Sequence, residues 1–407
     1  MKTLIPILGL LVACGPGPEE DPCTLPGNMC TFAGVPKTAM FGEDGVLATS
    51  SHLYLPQDIT FNDEGRSWLP DFNNHRVREI APDGMVTTVS GTGFLGDGPE
   101  GTSSTFAWNH PTSVTIDPND SCKLHVAAWH NSRIHLVDLC TGETTFECGT
   151  GQRDFAGDGG DALDAVLDLP SSLVFSDDGT MYITDQANQA IRSVATDGTM
   201  TTIAGDPGEP YAGLTNSDPE NEPIQDATPG YSGDGGPASE ALLFAEIGQQ
   251  ADPSSKMTIF ENVLYIADSG NNVIRKIDLD TMVIDRVAGI QYNRGDDSAP
   301  TNLSSGDGGS ALDAVFNNPR DVAVGIDGEL YIADTDNHCV RIIETDGTID
   351  TFAGTCGIAP EPGADFEGEG ILAIDASLWS PYGVATDSEG NVYIADTKNH
   401  IIRKVAR

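Results

Sequence analysis

The chain has 407 residues, of which 46 are glycine, 39% are hydrophobic and only 20% are charged. Acidic residues outnumber basic residues by 62 to 20, which gives a formal net charge of -42. A surface of this sign repels nucleic-acid phosphates and anionic lipid headgroups, so the composition excludes a nucleic-acid role. The length would ordinarily suggest more than one domain, but a closed repeat architecture can use it in a single body.

The N-terminus has the features of an export signal. An early lysine precedes the apolar run Leu4 to Val12, which is too short to span a bilayer. The run ends in Leu11-Val12-Ala13-Cys14, which resembles the bacterial lipobox, where a peptidase cuts before a lipidated cysteine. We therefore expect a signal peptide over residues 1–13, a lipid on Cys14 and a flexible tether over residues 14–28, with the protein held at the outer membrane or cell surface. An ordinary secretory signal is the alternative.

A repeat with fixed spacing occupies the rest of the chain, residues 29–407. Its pattern is a proline, eleven residues, an aromatic residue, two residues, Asp, two residues, Asn, three residues and Arg. The Asp and Arg of the five complete units are Asp71 and Arg78, Asp185 and Arg192, Asp268 and Arg275, Asp334 and Arg341, and Asp396 and Arg403. A sixth unit is degenerate, and its corresponding residues are Pro111, His125, Ala128, Asn131 and His135.

Each unit predicts a meander of four strands, because apolar β-branched runs alternate with Asp-Gly turns. Such blades bury both faces only by packing in a ring, so we expect an all-β, six-bladed β-propeller. The last unit ends after its third strand. Thr31-Phe32-Ala33-Gly34 repeats the fourth-strand sequence Thr351-Phe352-Ala353-Gly354, so we expect an N-terminal strand to complete the C-terminal blade.

Two segments resemble the NHL repeat family and are similar to teneurin-type NHL domains: Leu330-Tyr-Ile-Ala-Asp-Thr-Asp-Asn-His338 and Val392-Tyr-Ile-Ala-Asp-Thr-Lys-Asn-His400. The resemblance covers nearly all of residues 29–407. It implies a propeller that binds a partner, here a protein, peptide or glycan, and we expect a monomer. The alternative is an enzyme of the six-bladed class, such as a calcium-dependent lactonase or esterase, a lyase or a strictosidine synthase-like protein, with its site in the central channel.

The repeated charges are interpreted as structural, because a residue that recurs once per blade is suited to holding a turn or tying strands together. The degenerate unit supports pairing, since Ala128 and His135 replace both partners together. In the channel, the residues that follow each repeat proline include two carboxylates, Asp58 and Asp321, and the fourth unit contributes Ser254-Ser255. We predict no catalytic residues.

Seven cysteines remain after Cys14, which is an odd number for an oxidising compartment. Cys122 with Cys140 and Cys339 with Cys356 fall at facing strand ends and are predicted to form disulfides. Cys23 and Cys30 can pair locally, which leaves Cys148. His125, His130 and His135 are spaced by five residues, but their side chains need not converge, so we predict no metal site.

The connections between blades carry Gly-Asp-Gly motifs and vary in length. We expect their carboxylates, Asp97, Asp158, Asp234 and Asp307, to line a binding face. One carboxylate per loop falls short of the six to eight oxygens that calcium needs, so no cofactor is predicted, with calcium as the alternative. The long acidic connection from Asp206 to Asp234 enlarges this face.

Overall fold

Six antiparallel sheets form the blades of a β-propeller in this computed structural model. The structure describes residues 21–208, 227–246, 252–293, 299–360 and 368–407. Each sequence unit supplies the three inner strands of one blade, in chain order. The predicted fold is therefore confirmed, while the proposed signal sequence and Cys14 lie outside the described residues.

The strands are given from the channel outward. Blade 1 contains Thr60–Phe61, Ser67–Asp71, Arg76–Ile80, Met85–Ser90 and Val46–Leu47. Blade 2 contains Pro111–Asp117, Asp120–Ala128, Arg133–Asp138, Glu143–Cys148 and Gly101–Thr102. Blade 3 contains Pro170–Phe175, Met181–Asp185, Ala190–Val194 and Met200–Gly205.

Blades 4 to 6 follow the same order. Blade 4 contains Met257–Phe260, Val263–Asp268, Val273–Asp278, Val283–Ala288 and Gly236–Pro237. Blade 5 contains Pro319–Val324, Leu330–Asp334, Cys339–Ile343, Thr348–Ala353 and Gly309–Ser310. Blade 6 contains Gly383–Thr386, Val392–Asp396, Ile401–Val405, Asn28–Ala33 and Ile371–Leu372.

Short 3-10 helices fill two kinds of connection. One kind lies between the outermost strand position and the inner strand of a blade: Ala48–Ser50, Ser103–Thr105, Ala162–Asp164, Ala238–Glu240, Ala311–Asp313 and Ala373–Asp375. The other kind joins the second and third strands: Phe72–Asn74, Trp129–Asn131, Ser269–Asn271, Thr335–Asn337 and Thr397–Asn399. One more, Pro22–Thr24, precedes the first strand. Among the described residues, no helix is long and apolar enough to cross a membrane.

A short fifth strand on most blades was not expected from the sequence. The connection from the preceding blade first runs along the outside of the fourth strand, as Gly101 and Thr102 do beside Thr144 and Glu143. It then crosses by a 3-10 helix to the channel. In blade 3 this pairing is reduced to a single bridge between Asp161 and Thr199. The added strand covers an edge that would otherwise expose unpaired backbone groups.

The N-terminal strand closes the ring, as the sequence predicted. Asn28–Ala33 pairs on one side with Ile401–Val405 and on the other with Ile371–Leu372. Met29 is fully buried in the cluster between blades 5 and 6, beside Ile394 and Val405. Both ends of the described chain are thereby held in one sheet.

A second tie connects neighbouring blades at the turns between strands two and three. The residue that ends each turn is left-handed, and in five blades its side chain accepts a backbone N–H from the segment before the next inner strand. The pairs are His75 with His110, Gln189 with Ala245, Asn272 with Asn318, His338 with Ser380, and His400 with Leu55. The histidines at this repeat position therefore have a structural role.

Candidate functional site

Each repeat Asp is the centre of a buried hydrogen-bond network. In blade 3, Asp185 accepts the backbone N–H of Asp168 at 2.7 Å and the amide of Asn188 at 2.8 Å. Its carboxylate also lies 3.2 Å from the guanidinium of Arg192, and both charged side chains are fully buried. Burial raises the pKa of Asp185 to about 7, although Arg192 acts in the opposite direction. These contacts explain the fixed spacing of Asp, Asn and Arg.

The other complete units repeat this network. The distance between carboxylate and guanidinium is 3.4 Å for Asp71 and Arg78, 3.5 Å for Asp268 and Arg275, 3.7 Å for Asp334 and Arg341, and 3.6 Å for Asp396 and Arg403. Asp71, Asp334 and Asp396 also accept the backbone N–H of the residue 17 positions earlier. Asp268 accepts that of Phe244, 24 positions earlier. These buried charges tie a blade to its own incoming segment.

The four Gly-Asp-Gly carboxylates that the sequence places on a binding face are each paired with an arginine and remain partly exposed. Asp158 and Asp234 each lie 2.7 Å from a repeat arginine, Arg192 and Arg275 respectively. Asp307 bonds Arg341 in the same way, and Asp97 bonds Arg133. A fully buried guanidinium has more donors than one carboxylate can accept, so the loop supplies a second acceptor. These aspartates also hold their loops against the blade.

Blade 2 shows how the network is replaced where the repeat degenerates. With Ala128 in place of Asp, the side-chain oxygen of Asn131 accepts the backbone N–H of Asn109 at 2.8 Å. His135 stands in place of Arg and packs against the rings of Phe106 and Trp108. Burial lowers the pKa of His135 to about 3, so the ring is neutral. The loss of both charges leaves no orphaned ion.

The channel contains a lysine that the sequence analysis missed. Lys256, rather than Ser254 or Ser255, occupies the position equivalent to Asp321, because Met257 pairs with Ile266 as Val322 pairs with Ile332. The hairpin that follows is one residue shorter in blade 4, where Glu261 and Asn262 form a two-residue turn with positive φ. The extra residue therefore lies before the strand and shifts the register at the channel.

Lys256 lies between the two carboxylates predicted there. Its Nζ lies 3.5 Å from both Asp58 Oδ1 and Asp321 Oδ2, and donates to the Gln57 carbonyl at 2.5 Å. Each carboxylate also bonds across to the next blade, Asp58 to Val114 N at 3.1 Å and Asp321 to Val384 N at 3.0 Å. The three side chains therefore clamp blades around the channel.

Burial dominates the titration of Asp321. It raises the pKa to about 7, the nearby Asp58 adds to the rise, and Lys256 opposes it. A calcium ion between Asp58 and Asp321 would have to displace the ammonium group that lies between them. The described residues of the channel therefore do not fit the calcium site of the enzyme alternative.

A cavity of about 280 Å³ continues from these side chains along the inner strands. It ends among the turns that follow the first strands, where Asp63 and Ser388 are exposed. On the opposite side of the clamp, Arg320 lies over the Tyr382 ring at 4.1 Å. The Tyr382 hydroxyl and Arg320 both contact the Asp252 carboxylate, at 2.7 Å and 3.3 Å. These contacts link the segments that enter blades 4, 5 and 6 on this side of the channel.

The two disulfides predicted at facing strand ends are present, and a third forms between the two cysteines whose local pairing the sequence left open. They join Cys23 to Cys30, Cys122 to Cys140, and Cys339 to Cys356. Cys148 is free and buried, and burial raises the pKa of its thiol far above the ordinary range. Cys148 is therefore an inert core residue.

His125, His130 and His135 do not converge. His125 contacts Glu147 and lies 3.6 Å from Asp117, while His135 is enclosed by aromatic rings. His130 lies on the face formed by the second-to-third-strand turns, where its Nδ1 is 2.9 Å from the Nδ1 of His110. The spacing of five residues along the chain therefore does not bring the three side chains into one site.

Exposed large apolar side chains occur on several connections, and on two of them they adjoin. Met40 and Phe41 precede blade 1, and Phe94 and Leu95 precede blade 2; Phe94 is 77% exposed. The two segments adjoin, since a Cβ built on Gly93 would meet the Phe41 ring at 2.3 Å. Arg76 lies 3.5 Å from the centre of that ring. We call Met40, Phe41, Phe94 and Leu95 the apolar patch.

Comparison with known proteins gives two family matches. The model for the teneurin NHL domain matches residues 101–195 and 261–362, and the NHL repeat model matches residues 378–404. Teneurin-1 of Gallus gallus is 26% identical over 89% of this chain, and Teneurin-m of Drosophila melanogaster is 27% identical over 88%. The matched regions are only 13% and 12% of those two proteins.

Two solved structures have the same fold. A structural genomics protein of unknown function from Bacteroides thetaiotaomicron has a TM-score of 0.62 at 18% identity, over 93% of this chain and 75% of its own. A protein from Bacteroides ovatus, described as an auxiliary nutrient binding protein, has a TM-score of 0.60 at 16% identity, over 93% of this chain and 76% of its own. At these identities the likeness shows the fold alone.

Proposed function

Since this chain belongs to the NHL-repeat β-propellers, we propose that it is a binding scaffold whose apolar patch captures a polypeptide carrying apolar and basic residues. The observation that carries the proposal is the exposure of four large apolar side chains on adjoining connections. Side chains of this kind at the surface favour a protein contact when they are contiguous. The net charge of -42 favours a cationic partner.

The arrangement of the charged residues supports binding over catalysis. The repeat aspartates and the Gly-Asp-Gly aspartates are bonded to arginines, and Asp58 and Asp321 share Lys256. None of these groups is positioned by the described residues as a free acid or base beside a nucleophile. Neighbours described as auxiliary nutrient binding proteins are consistent with a capture role.

The patch can be tested by removing its most exposed residues. We expect Phe94→Ser with Leu95→Ser to abolish capture of the partner from envelope extracts, with an unchanged melting temperature. The matched control is Leu163→Ser with Leu312→Ser, which removes two exposed leucines from other connections and should leave capture intact. Capture should also weaken at high salt. Equal capture by both double variants would contradict the proposal. If the protein captured only a glycan, the partner would be a sugar and not a polypeptide.

The enzyme alternative has a separate test. If the channel were catalytic, the purified protein would turn over lactone or ester substrates, and Asp321→Asn or Lys256→Met would abolish that activity. We expect no turnover in the parent chain, and unchanged partner capture in both variants. Turnover lost in these variants would move the function to the channel.

We further propose that the propeller is displayed on the bacterial envelope by a lipid on Cys14. The support is the lipobox-like Leu11-Val12-Ala13-Cys14 at the end of an apolar run. Cys14→Ser should move the protein from the membrane fraction to the soluble fraction, or leave the precursor uncut. Unchanged fractionation with an unchanged mature mass would contradict anchoring at this residue.

A further inference from the structure

A compact group of aromatic side chains breaks the repeat between blades 1 and 2. Where the other blades place Gln186, Ser269, Thr335 and Thr397 at the first position after the repeat Asp, blade 1 has Phe72 and blade 2 has Trp129. The rings of His75, His110 and His130 continue this group, with neighbouring centroids 4.6 and 4.8 Å apart. This is the one cluster of histidines in the described residues whose ring nitrogens approach each other.

Three ligand-type atoms converge within the group. The Nδ1 of His130 is 2.9 Å from the Nδ1 of His110, which is 2.8 Å from the Oδ1 of Asn109. Because the amide oxygen can only accept, the His110 Nδ1 carries the hydrogen, and Asn109 Oδ1 and the His130 Nδ1 share it as acceptors. The remaining hydrogen of His130 is on Nε2. One hydrogen thus occupies the space between two imidazole nitrogens.

The spacing fits a metal that prefers right-angled ligands. With metal–nitrogen bonds of about 2.0–2.1 Å, nitrogens this far apart subtend an angle of about 90° at the ion. Tetragonal Cu²⁺ and Ni²⁺ favour such cis pairs of nitrogen and oxygen donors, whereas Zn²⁺ favours the wider tetrahedral angle. We propose that His110, His130 and Asn109 form a binding site for a divalent copper-type cation, open to solvent through the exposed His130.

Aromatic rings hold the two imidazoles in place. The guanidinium of Arg153, which is near His130, is 2.6 Å from Asp168, so its charge is balanced. The Phe72 ring packs on His110 and the Trp129 ring on His130, with centroids 4.6 and 4.4 Å apart. On binding, His110 carries its hydrogen on Nε2 instead of Nδ1, which frees the lone pair of its Nδ1 for the ion.

The test uses the full chain without a polyhistidine tag and titrates CuCl₂ by calorimetry. We expect one saturable equivalent, quenching of Trp129 fluorescence and an electron paramagnetic resonance signal split by two imidazole nitrogens. His130→Asn should weaken Cu²⁺ binding at least tenfold, and His110→Asn with His130→Asn should abolish it. Asparagine tolerates the left-handed backbone of His110, whose φ is 60°, so the double variant is expected to fold.

The matched control is His338→Asn, a histidine at a left-handed turn position away from this group. It should bind Cu²⁺ like the parent, and Trp129→Phe should bind normally without the fluorescence change. Equal Cu²⁺ affinity in the parent and in the His110/His130 double variant would overturn the site. Tighter binding of Zn²⁺ than of Cu²⁺ would contradict a site with right-angled ligands. Loss of partner capture in the patch variant does not bear on either result.

Discussion

The Nδ1 of His400 accepts the backbone N–H of Leu55 at 3.2 Å, which ties the last blade of the ring to the first. His400 has a φ of 62°, and the equivalent residue in blade 4, Asn272, makes the same contact to Asn318 at 2.9 Å. Asparagine is therefore a working substitute for histidine at this position. Only the histidine can lose the contact by protonation.

We expect His400→Asn to leave stability near that of the parent at pH 7.5. His400→Leu should cost about 1–3 kcal/mol, because the Leu55 N–H loses its acceptor. Burial, aided by Lys398, lowers the pKa of His400 to about 4, so the unfolded chain binds the proton more tightly. The contribution of His400 is complete above its unfolded pKa of about 6.5 and is lost as the pH falls towards 4. Urea unfolding at pH 7.5 and 4.5 should show the parent losing stability relative to His400→Asn.

Ring closure predicts the effect of an N-terminal truncation. A chain that begins at residue 35 lacks the strand Asn28–Ala33 and exposes the edge of Ile401–Val405. It also loses Met29 from the core between blades 5 and 6. We expect aggregation, or a loss of several kcal/mol, in thermal melting and size-exclusion chromatography. A chain that begins at residue 21 is the control and should melt like the parent; equal melting of the two truncations would contradict closure.

The sequence specified the propeller because its determinants are periodic. Proline, aromatic residue, Asp, Asn and Arg recur at fixed distances, and the segment from Thr31 to Gly34 repeats the end of a fourth strand. The second carboxylate on Arg78, Arg192, Arg275 and Arg341 was missed because it comes from a distant loop. A signal was present: Asp44, Asp158 and Asp307 each precede their arginine by 34 residues.

The channel and the histidine pair required the structure. Lys256 reached the channel through a one-residue register shift set by the turn Glu261-Asn262, whereas the repeat proline kept its spacing. His110 and His130 are 20 residues apart in the unit with the least regular sequence, and they meet because one precedes the inner strand and the other lies in the turn above it. Alignment to the repeat says nothing about residues that depart from it.

The buried pairs predict strong coupling between Asp185 and Arg192. Arg192→Met should cost about 3–5 kcal/mol, because it leaves the Asp185 carboxylate buried without its counter-ion. Asp185→Asn with Arg192→Met should cost less than Arg192→Met alone, as the natural Ala128 and His135 of blade 2 suggest. Asp158→Asn removes the half-exposed partner of the same arginine and should cost at most about 1 kcal/mol. Urea unfolding measures these differences in the free energy of unfolding. If the costs of Asp185→Asn and Arg192→Met simply added in the double variant, the coupling would be contradicted.

The clamp in the channel predicts a pH dependence with the opposite sign to that of His400. Burial raises the pKa of Asp321 to about 7, so the folded chain holds this proton more tightly than the unfolded chain does. Its stabilising contribution is complete below the unfolded pKa of about 3.9 and is lost as the pH rises through 7. Asp321→Asn removes this titration, so the parent should lose more stability than Asp321→Asn between pH 5 and pH 8.

Two lysine variants test the cause of this pH dependence. Lys256→Met removes the charge that holds the pKa of Asp321 down and should increase the loss of stability between pH 5 and pH 8. Lys276→Met, on a partly exposed lysine of blade 4, should leave that loss unchanged. A parent and an Asp321→Asn variant with parallel stability profiles from pH 5 to 8 would show that Asp321 stays ionised in the folded chain.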